Sequence, residues 1–152
     1  VVAQPGATLR FFVGRQGSDQ DEPLEAVEHL EDEGFGDIVE LDVPESYQAV
    51  TLKAFAMLAW AHSAFPNLLF FVRVDDDVYL RPRQLFAHLE RRPAVSYLWG
   101  NFDHGSNPVR DPLHPHYNSY DQFPDRNHPL FGDIFPPYAR GNLWAMSWDL
   151  LA

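Results

Sequence analysis

Three consecutive carboxylates follow a run of apolar residues in the stretch FFVRVDDDVYL, residues 70–80. Adjacent like charges repel one another, and placing them beside Phe and Val side chains is unfavourable unless a positive group lies among them. Hard divalent cations such as Mg2+ and Mn2+ prefer oxygen ligands and are often shared between one or two carboxylates and the phosphates of a substrate. Asp75, Asp76 and Asp77 are therefore candidate ligands, and a solvated acidic turn before the next helix is the alternative.

The spacing of the carboxylates narrows the choice of metal ligands. Side chains alternate along an extended backbone, so Asp75 and Asp77 are expected on one side of the chain and Asp76 on the other. If the stretch binds a metal, the unit to consider is therefore Asp-x-Asp, with Asp77 and Asp75 as the candidate metal ligands. An EF-hand is a poor match, because the loop positions after Asp75 offer Val, Leu, Arg and Pro instead of regularly spaced oxygens, and no Gly stands at the sixth place.

The elements around the carboxylates alternate between strand and helix. Such alternation predicts an α/β fold with a mostly parallel sheet flanked by helices, whose ligands lie beyond the carboxyl ends of the strands. Residues 102–140 are dense in Pro, His and Tyr, which indicates irregular or short-strand structure. We predict one domain over residues 1–152. The predicted strands cover residues 8–14, 36–43 (ending near Asp42), 68–74 and 95–101, and the predicted helices cover 23–34, 46–65 and 82–89.

Composition excludes several classes of partner. The chain has 152 residues, of which 11 are basic and 22 acidic, and its net charge of -11 argues against a nucleic-acid partner, which needs a basic face. Lys53 is its single lysine. The absence of cysteine excludes disulfides and thiolate metal sites. No apolar run approaches the roughly 20 residues of a membrane span, so we expect no membrane contact by this segment.

Two further groups of side chains are candidates for a binding role. Four histidines have a spacing that matches no zinc pattern, and the prolines around them oppose a regular helix. A set of aromatic residues predicts either a platform for stacking sugars or the core beneath the irregular segment, and the core is favoured for Trp144 and Phe123. The histidines are His104, His114, His116 and His128, and the other aromatic residues are Trp99, Tyr117, Tyr120 and Tyr138.

Seven segments, taken in order, resemble the β-1,3-galactosyltransferase-like family, glycosyltransferase family 31. They cover nearly the whole chain, and their common order is more specific than any single segment. The segments are FFVG (11–14), GFGDIVELDVPESY (34–47), TLK (51–53), FVRVDDDVYL (71–80), PVR (108–110), YNSYDQFP (117–124) and FPPYARGNLWAMSWDLL (135–151).

The resemblance implies a GT-A-type fold that binds a UDP-sugar. It implies that Asp77 is the direct ligand of Mn2+ (or Mg2+), while Asp75 and Asp76 position the ribose, the sugar or a metal-bound water. A metal there would neutralise the charge that develops on the diphosphate leaving group. The sequence departs from the family pattern at Arg73, where members often have Lys, and at Arg140-Gly141-Asn142, which replaces a more Gly-rich turn; both departures bear on acceptor choice.

The resemblance also points to residues outside the carboxylates. Lys53 matches the lysine of the family's Thr-Leu-Lys segment, and we hypothesise that it neutralises charge near the carboxylates or the diphosphate. Arg15 follows the first strand and is a second candidate for contact with the nucleotide, with a solvated loop arginine as the alternative. Tyr138, Arg140 and Tyr120 are candidates for the acceptor side.

The implied activity is that of a metal-dependent inverting hexosyltransferase, which moves galactose or N-acetylhexosamine from a UDP-sugar to a hydroxyl of a glycan, glycoprotein or glycolipid. We expect the whole protein to be a type II Golgi membrane protein with its anchor before Val1. The general base that such a transfer needs is expected beyond Ala152, because neither Asp121 nor Asp133 lies in a matching motif. The chain is thus expected to be a fragment that binds donor without completing the reaction.

Two alternatives belong to other functional classes. One is a non-catalytic module that binds sugar nucleotides or glycans. The other is a different metal-dependent phosphotransfer enzyme, since two-metal chemistry also uses clustered carboxylates. Against the second stands the lack of a Gly-rich phosphate loop, because Gly14-x-x-Gly17 is too short for one.

Overall fold

The computed structural model describes residues 6–15, 36–123 and 134–151. Within it the chain forms two compact units, Val1–Asn67 and Leu68–Ala152, which are described separately. The helix predicted over residues 23–34 lies outside the described residues. The prediction of one domain over residues 1–152 stays a prediction.

The first unit contains a short parallel sheet and one long helix. Strand β1 (Phe11–Arg15) pairs in parallel with β2 (Ile38–Pro44), and the register shifts between Gly14 and Arg15. Helix α1 (Val50–Ala64) follows a single 3-10 turn at Tyr47–Ala49, so the helix begins four residues later than the predicted position 46. Both strands lie close to their predicted positions.

Packing in the first unit joins the helix to the strands through a few large side chains. Leu41 and Val43 alternate along β2 and are buried. The ring of Trp60 on α1 makes an edge contact with Phe12 on β1, with 5.3 Å between ring centroids. Each buried aliphatic side chain of this kind contributes roughly 1.5–3 kcal/mol of transfer free energy, so the burial of Leu41 and Val43 helps to stabilise the first unit.

The second unit is built on an antiparallel sheet. Its strands are β3 (Phe70–Val74), β4 (Leu98–Asp103) and β5 (Tyr138–Ser147), in the spatial order β3-β5-β4. Helix α2 (Pro82–Leu89) begins with a proline in its first turn, as predicted, and its bounds are those predicted. The 3-10 turn at Trp148–Leu151 closes the described chain.

The core of the second unit lies between α2 and the sheet. Leu85 and Leu89, one helical turn apart, are buried against Ala145 of β5. On β3, Phe71 is buried with Trp148, which stacks on it at 6.3 Å. Around the helix-facing core pack five partly buried residues: Phe70, Val72, Leu80, Tyr97 and Trp99.

The expected sheet topology is confirmed only in part. The fold is mixed α/β, but the prediction of a mostly parallel sheet is not confirmed: β1 and β2 are parallel, whereas β5 pairs with both β3 and β4 in the antiparallel sense. The reason is β5, whose first three residues belong to the segment 102–140 that was predicted to be irregular or short-stranded. It inserts between β3 and β4, so these two strands do not pair with each other.

Candidate functional site

The three carboxylates lie in a turn that begins where β3 ends. Val74 is the last residue of the strand, and the amide of Val78 donates to the carbonyl of Asp75 at 3.2 Å, which closes the turn. Asp75 is partly buried, whereas Asp76 and Asp77 are exposed. We expected an extended backbone that would put Asp75 and Asp77 on one side. That assumption was wrong, because the backbone turns at Asp76 and Asp77.

Asp75 is held in place from two directions. Its amide donates to the carbonyl of Asn142 at 3.0 Å. Its carboxylate Oδ1 lies 2.7 Å from Nη2 of Arg73, and the Nη1 group of the same arginine donates to the carbonyl of Gly141. The Arg73 side chain is only 15% exposed, against 35% for that of Asp75. Arg73 is thus a positive group beside the carboxylates.

The exposed carboxylates fit part of a divalent-cation site. Within the described ranges, no group of three or more His, Asp or Glu side chains lies close enough to form a complete metal cage. Mn2+ and Mg2+ at nucleotide sites usually take one or two carboxylates, with phosphates and waters completing the coordination. Asp77 suits this arrangement because its exposed side chain enters no ion pair within the described part of the chain, while Asp75 would first have to leave Arg73.

In the first unit, three of the quoted segments meet around Glu45. The Lys53 ammonium lies 2.6 Å from Oε2 and 2.8 Å from Oε1 of Glu45, and the amide of Gly14 donates to Oε2. A Cβ on Gly14 would lie 2.7 Å from the carbonyl oxygen of Val43, so only glycine fits there. Lys53 was predicted from the sequence as a site residue, whereas Glu45 and its hydrogen bond to β1 were not.

The protonation of Glu45 reflects this setting. Partial burial acts to raise its pKa, but the hydrogen bond from Lys53, the hydrogen bond from the Gly14 amide and the charge of Lys53 together outweigh it, so the pKa lies below its ordinary value. Glu45 is therefore ionised at neutral pH, and the Lys53 charge is matched by a carboxylate. The predicted role of Lys53 near a diphosphate stays a prediction.

Arg15, the second nucleotide candidate, ends β1 and lies in an exposed ion pair. Its Nη1 is 2.7 Å from Oδ1 of Asp42, and both side chains are mostly exposed. An exposed pair of this kind contributes about 0–1 kcal/mol and readily exchanges partners. Arg15 is consequently accessible to a ligand, and its predicted contact with the nucleotide also stays a prediction.

Of the acceptor-side candidates, Tyr138 and Arg140 lie on β5, and Tyr120 lies in the segment between β4 and β5. Arg140 on β5 contacts Asp103 at the end of β4, with 2.9 Å between Nη2 and Oδ2. The hydroxyl of Ser106 and the Arg140 guanidinium hold the pKa of Asp103 below its usual value. Tyr138 is exposed, and its ring makes an edge contact with Phe135.

Arg110 organises the segment that carries Tyr120. Its guanidinium donates to the carbonyls of Asn118, Ser119 and Phe123 at 2.6–2.9 Å, and its Cζ lies 4.3 Å from the centroid of the Tyr120 ring. Tyr120 is nonetheless 60% exposed. Residues 108–110 and 117–123, which belong to two segments recognised separately in the sequence (PVR and YNSYDQFP), therefore form one structure around Arg110. Only the order of the two segments in the chain hinted at this structure. The acceptors are backbone carbonyls, which every residue has, so residue types could not indicate the contact.

The remaining candidates divide between core and surface. Trp144 and Phe123 are half-buried, and each packs against another aromatic ring, Phe71 at 5.7 Å and Phe135 at 4.5 Å respectively, as expected for core residues. His104, His114, His116 and Asp121 are exposed. His128 and Asp133 lie outside the described residues.

A cavity of about 290 Å³ lies along α2, lined by Gln84, Ala87, His88, Arg91 and Arg92. None of these residues is a candidate from the sequence. His88 also donates or accepts a hydrogen bond with the Tyr97 hydroxyl at 2.8 Å and packs on Trp99 at 5.1 Å, which are contacts of the core. We therefore place the candidate site at the end of β3 and not in this cavity.

Comparison with known proteins identifies the class. The family model described as Galactosyltransferase matches residues 3–152. The chain therefore belongs to this family of glycosyltransferases, and the family predicted from the sequence motifs is confirmed.

Three relatives illustrate the similarity. Over 93% of its length the chain is 26% identical to lactosylceramide 1,3-N-acetyl-beta-D-glucosaminyltransferase of Homo sapiens, and over 93% it is 28% identical to UDP-GalNAc:beta-1,3-N-acetylgalactosaminyltransferase 1 of Mus musculus. Over 95% it is 29% identical to UDP-GlcNAc:betaGal beta-1,3-N-acetylglucosaminyltransferase 7 of Rattus norvegicus. The chain spans 36%, 41% and 36% of the length of these curated relatives, respectively.

Proposed function

We propose that the whole protein is a metal-dependent inverting hexosyltransferase with a GT-A-type fold, and that this chain supplies the part that binds the UDP-sugar. The transferred sugar is galactose or an N-acetylhexosamine, and the acceptor is a hydroxyl of a glycan on a protein or a lipid. The names of the relatives support the donor and acceptor classes, since two of them specify a UDP-sugar and one specifies lactosylceramide.

The observation that carries this proposal is the turn after β3. It presents Asp76 and Asp77 to solvent, while Asp75 is fixed by Arg73. A diphosphate is strongly anionic and would be repelled by these carboxylates alone. A divalent cation held by Asp77 would reverse the sign of the interaction and stabilise the leaving group.

The proposed reaction is a single displacement at the anomeric carbon. The acceptor oxygen forms the new bond to that carbon, the bond to the phosphate oxygen breaks, and UDP leaves with the bonding electron pair. The acceptor proton passes to a general base. Neither Asp121 nor Asp133 has a motif to support this role, and we propose that the base lies in the part of the protein that follows Ala152.

We also propose which residues contact the donor and which contact the acceptor. Asp75 and Asp76 position the ribose, the sugar or a metal-bound water, and Lys53 and Arg15 contribute to donor binding. Tyr120, Tyr138 and Arg140 contact the acceptor. The exposure of Tyr120 over a fixed guanidinium supports its role, because an open aromatic face suits the apolar face of a sugar ring.

The location of the whole protein is proposed from the family resemblance alone: a type II protein of the Golgi membrane, anchored N-terminal to Val1. Across the described parts of the chain, no helix has the length and apolar character that crossing a bilayer requires.

The test is calorimetric titration of UDP into the chain with Mn2+, with EDTA and with the variant Asp77→Asn. We expect UDP binding that requires the metal and that falls at least about tenfold in the variant, since a charged ligand to the metal is lost. Glu90→Gln, which removes one negative charge from an exposed position after α2, is the matched control and should bind UDP as the wild type does.

Each other outcome counts against a defined part of the proposal. Equal UDP binding in EDTA would refute the metal requirement. Preference for ATP over UDP would favour a phosphotransfer enzyme. Metal-dependent UDP binding without transfer or hydrolysis, in a protein extended past Ala152, would identify a non-catalytic module.

A further inference from the structure

Two places where the sequence departs from the family pattern contact each other. Arg73 stands on β3, and Gly141 and Asn142 lie on β5, far away in the sequence. The Arg73 guanidinium donates to the Gly141 carbonyl, and the amide of Asp75 donates to the carbonyl of Asn142 at 3.0 Å. The two departures therefore form one structure, which joins the carboxylate turn to β5.

The identity of the residue at position 73 matters for this structure. A guanidinium is a rigid fork with several donors, so Arg73 contacts Asp75 through Nη2 and the Gly141 carbonyl through Nη1. A lysine has one nitrogen on a flexible stem and cannot reproduce both contacts in the same geometry. A Cβ on Gly141 would lie 3.1 Å from Nη1 of Arg73, so a larger residue there would require the guanidinium to shift slightly.

The contact divides the three carboxylates into two kinds. The charge of Asp75 is compensated at 2.7 Å by an arginine that is itself largely buried. Asp76 and Asp77 are exposed and have no ion pair within the described residues. An incoming cation would therefore meet Asp77 as an available ligand, whereas Asp75 is already occupied.

We infer that Arg73 is a positioning residue that keeps Asp75 out of the coordination sphere of the metal and fixes the carboxylate turn against β5. This inference rests on the proposed binding of a metal and a UDP-sugar. Arg73 thus does more than stabilise the fold. It lowers the affinity of the turn for the free cation, and it sets the geometry in which metal and nucleotide bind together.

The first experiment measures Mn2+ binding to the 152-residue chain without nucleotide, by the electron paramagnetic resonance signal of free Mn2+. Arg73→Met should raise Mn2+ affinity about fivefold or more, because it removes a nearby positive charge and frees the Asp75 carboxylate. The gain should vanish in the double variant Arg73→Met with Asp75→Asn. Loss of a merely structural contact would lower the affinity instead.

Arg81→Met is the charge-matched control, because Arg81 is an exposed arginine after the same turn. It should change the Mn2+ affinity less than about twofold.

A second comparison stays informative even if Arg73→Met does not fold. In the wild-type background, Asp75→Asn should change Mn2+ affinity less than about twofold, whereas Asp77→Asn should lower it at least about fivefold. Equal losses in these two variants would show that Asp75 is a metal ligand, and the inference would be overturned. So would an unchanged or weaker affinity in a folded Arg73→Met variant, or no binding by any variant.

The nucleotide arm separates this inference from the proposed function. With Mn2+ saturating, Arg73→Lys keeps the charge but loses one of the two contacts, and UDP affinity should fall about threefold to tenfold. If the wild type binds Mn2+ but no UDP, the proposed function fails while the Mn2+ comparison still decides the role of Arg73. If Arg73→Lys binds UDP as the wild type does, the positioning role is refuted.

Discussion

Each unit holds a partly exposed ion pair that reaches a glycine of a strand, but the two clusters are built in opposite ways. In the first unit the carboxylate of Glu45 is central and accepts hydrogen bonds from Lys53 and from the amide of Gly14. In the second unit the guanidinium of Arg73 is central and contacts Asp75 and the carbonyl of Gly141. We call these the Glu45 cluster and the Arg73 cluster.

The two clusters differ in how much uncompensated negative charge they leave at the end of a strand. The Glu45 cluster joins β1 to the residue that follows β2 and leaves no unmatched charge among its three groups. The Arg73 cluster compensates one of three adjacent carboxylates and leaves Asp76 and Asp77 in excess. In the Glu45 cluster the carboxylate charge is compensated, and we call such a cluster closed. The Arg73 cluster leaves two carboxylates uncompensated, and we call it open because a cation can bind there. Four predictions test this contrast, beginning with the largest effect.

The glycine of the Glu45 cluster should be the least replaceable position. In Gly14→Ala the new Cβ would lie 2.7 Å from the carbonyl of Val43 and 3.0 Å from the amide nitrogen of Glu45, and both neighbours are backbone atoms. We expect a loss of about 2–3 kcal/mol in stability, in the upper part of the range for overpacking. Thermal unfolding of the chain measures it, and a loss below about 1 kcal/mol would show that the end of β1 tolerates displacement.

The pair at the centre of the Glu45 cluster should show coupling in a double-mutant cycle. Lys53→Met and Glu45→Gln, alone and together, should give a coupling free energy of about 0.5–1 kcal/mol, because Lys53 is 21% exposed and Glu45 is 41% exposed, so solvent screens the pair. Hydrogen exchange of the Gly14 amide provides a local readout, which should accelerate in Lys53→Met. Additive effects would mean that Lys53 does not act through Glu45, and an undiminished UDP affinity in Lys53→Met would remove its predicted role in donor binding.

The same carboxylate should give the fold a dependence on pH. Its pKa is lowered in the folded chain, so its stabilising contribution is complete above the pKa of an unfolded glutamate, about 4.3, and is lost as the pH falls through the lowered folded value. The stability difference between wild type and Glu45→Gln should therefore shrink between pH 7 and about pH 3. We expect a change below about 1 kcal/mol, since the group is partly exposed. A difference that is constant with pH would contradict the cluster's ionic character.

The smallest effect is expected at the glycine of the Arg73 cluster. In Gly141→Ala the new Cβ meets only Nη1 of Arg73, at 3.1 Å, and the end of a flexible side chain can move aside. Stability should change by no more than about 0.5 kcal/mol. This variant is the matched control for Gly14→Ala, and equal losses in the two would erase the distinction between a closed and an open cluster.

Much of the secondary structure could be predicted from local patterns, while the sheet order could not. The bounds of α2 follow from the proline in its first turn and from the apolar pair Leu85 and Leu89. The strand β5 was missed because its first half, Tyr138-Ala139-Arg140-Gly141-Asn142, has two polar residues and a glycine, and it continues a proline-rich segment. Without β5, the alternation of strands and helices predicts parallel neighbours for β3, and this prediction was wrong.

The residues of the candidate site also divide into those that the sequence predicts and those that it does not. The acidic stretch and the single lysine stand out by residue type, so Asp75, Asp76, Asp77 and Lys53 could be chosen from the sequence. Their partners could not, since Arg73 contacts a carbonyl that is 68 residues away in the chain, and Glu45 accepts a backbone amide 31 residues away. Backbone groups occur at every position and carry no compositional signal, so only the fold reveals which of them a side chain meets.

The central position of β5 also governs the order in which the second unit can form during synthesis. Its two neighbours, β3 and β4, are made first, yet each pairs only with β5 among the described strands. Until the ribosome has released residues 138–147, both earlier strands have unpaired edges, which are prone to join edges of other chains. Because the sheet depends on these distant pairings, closure entropy delays its formation. The nascent second unit therefore passes through an interval in which chaperone protection would matter most.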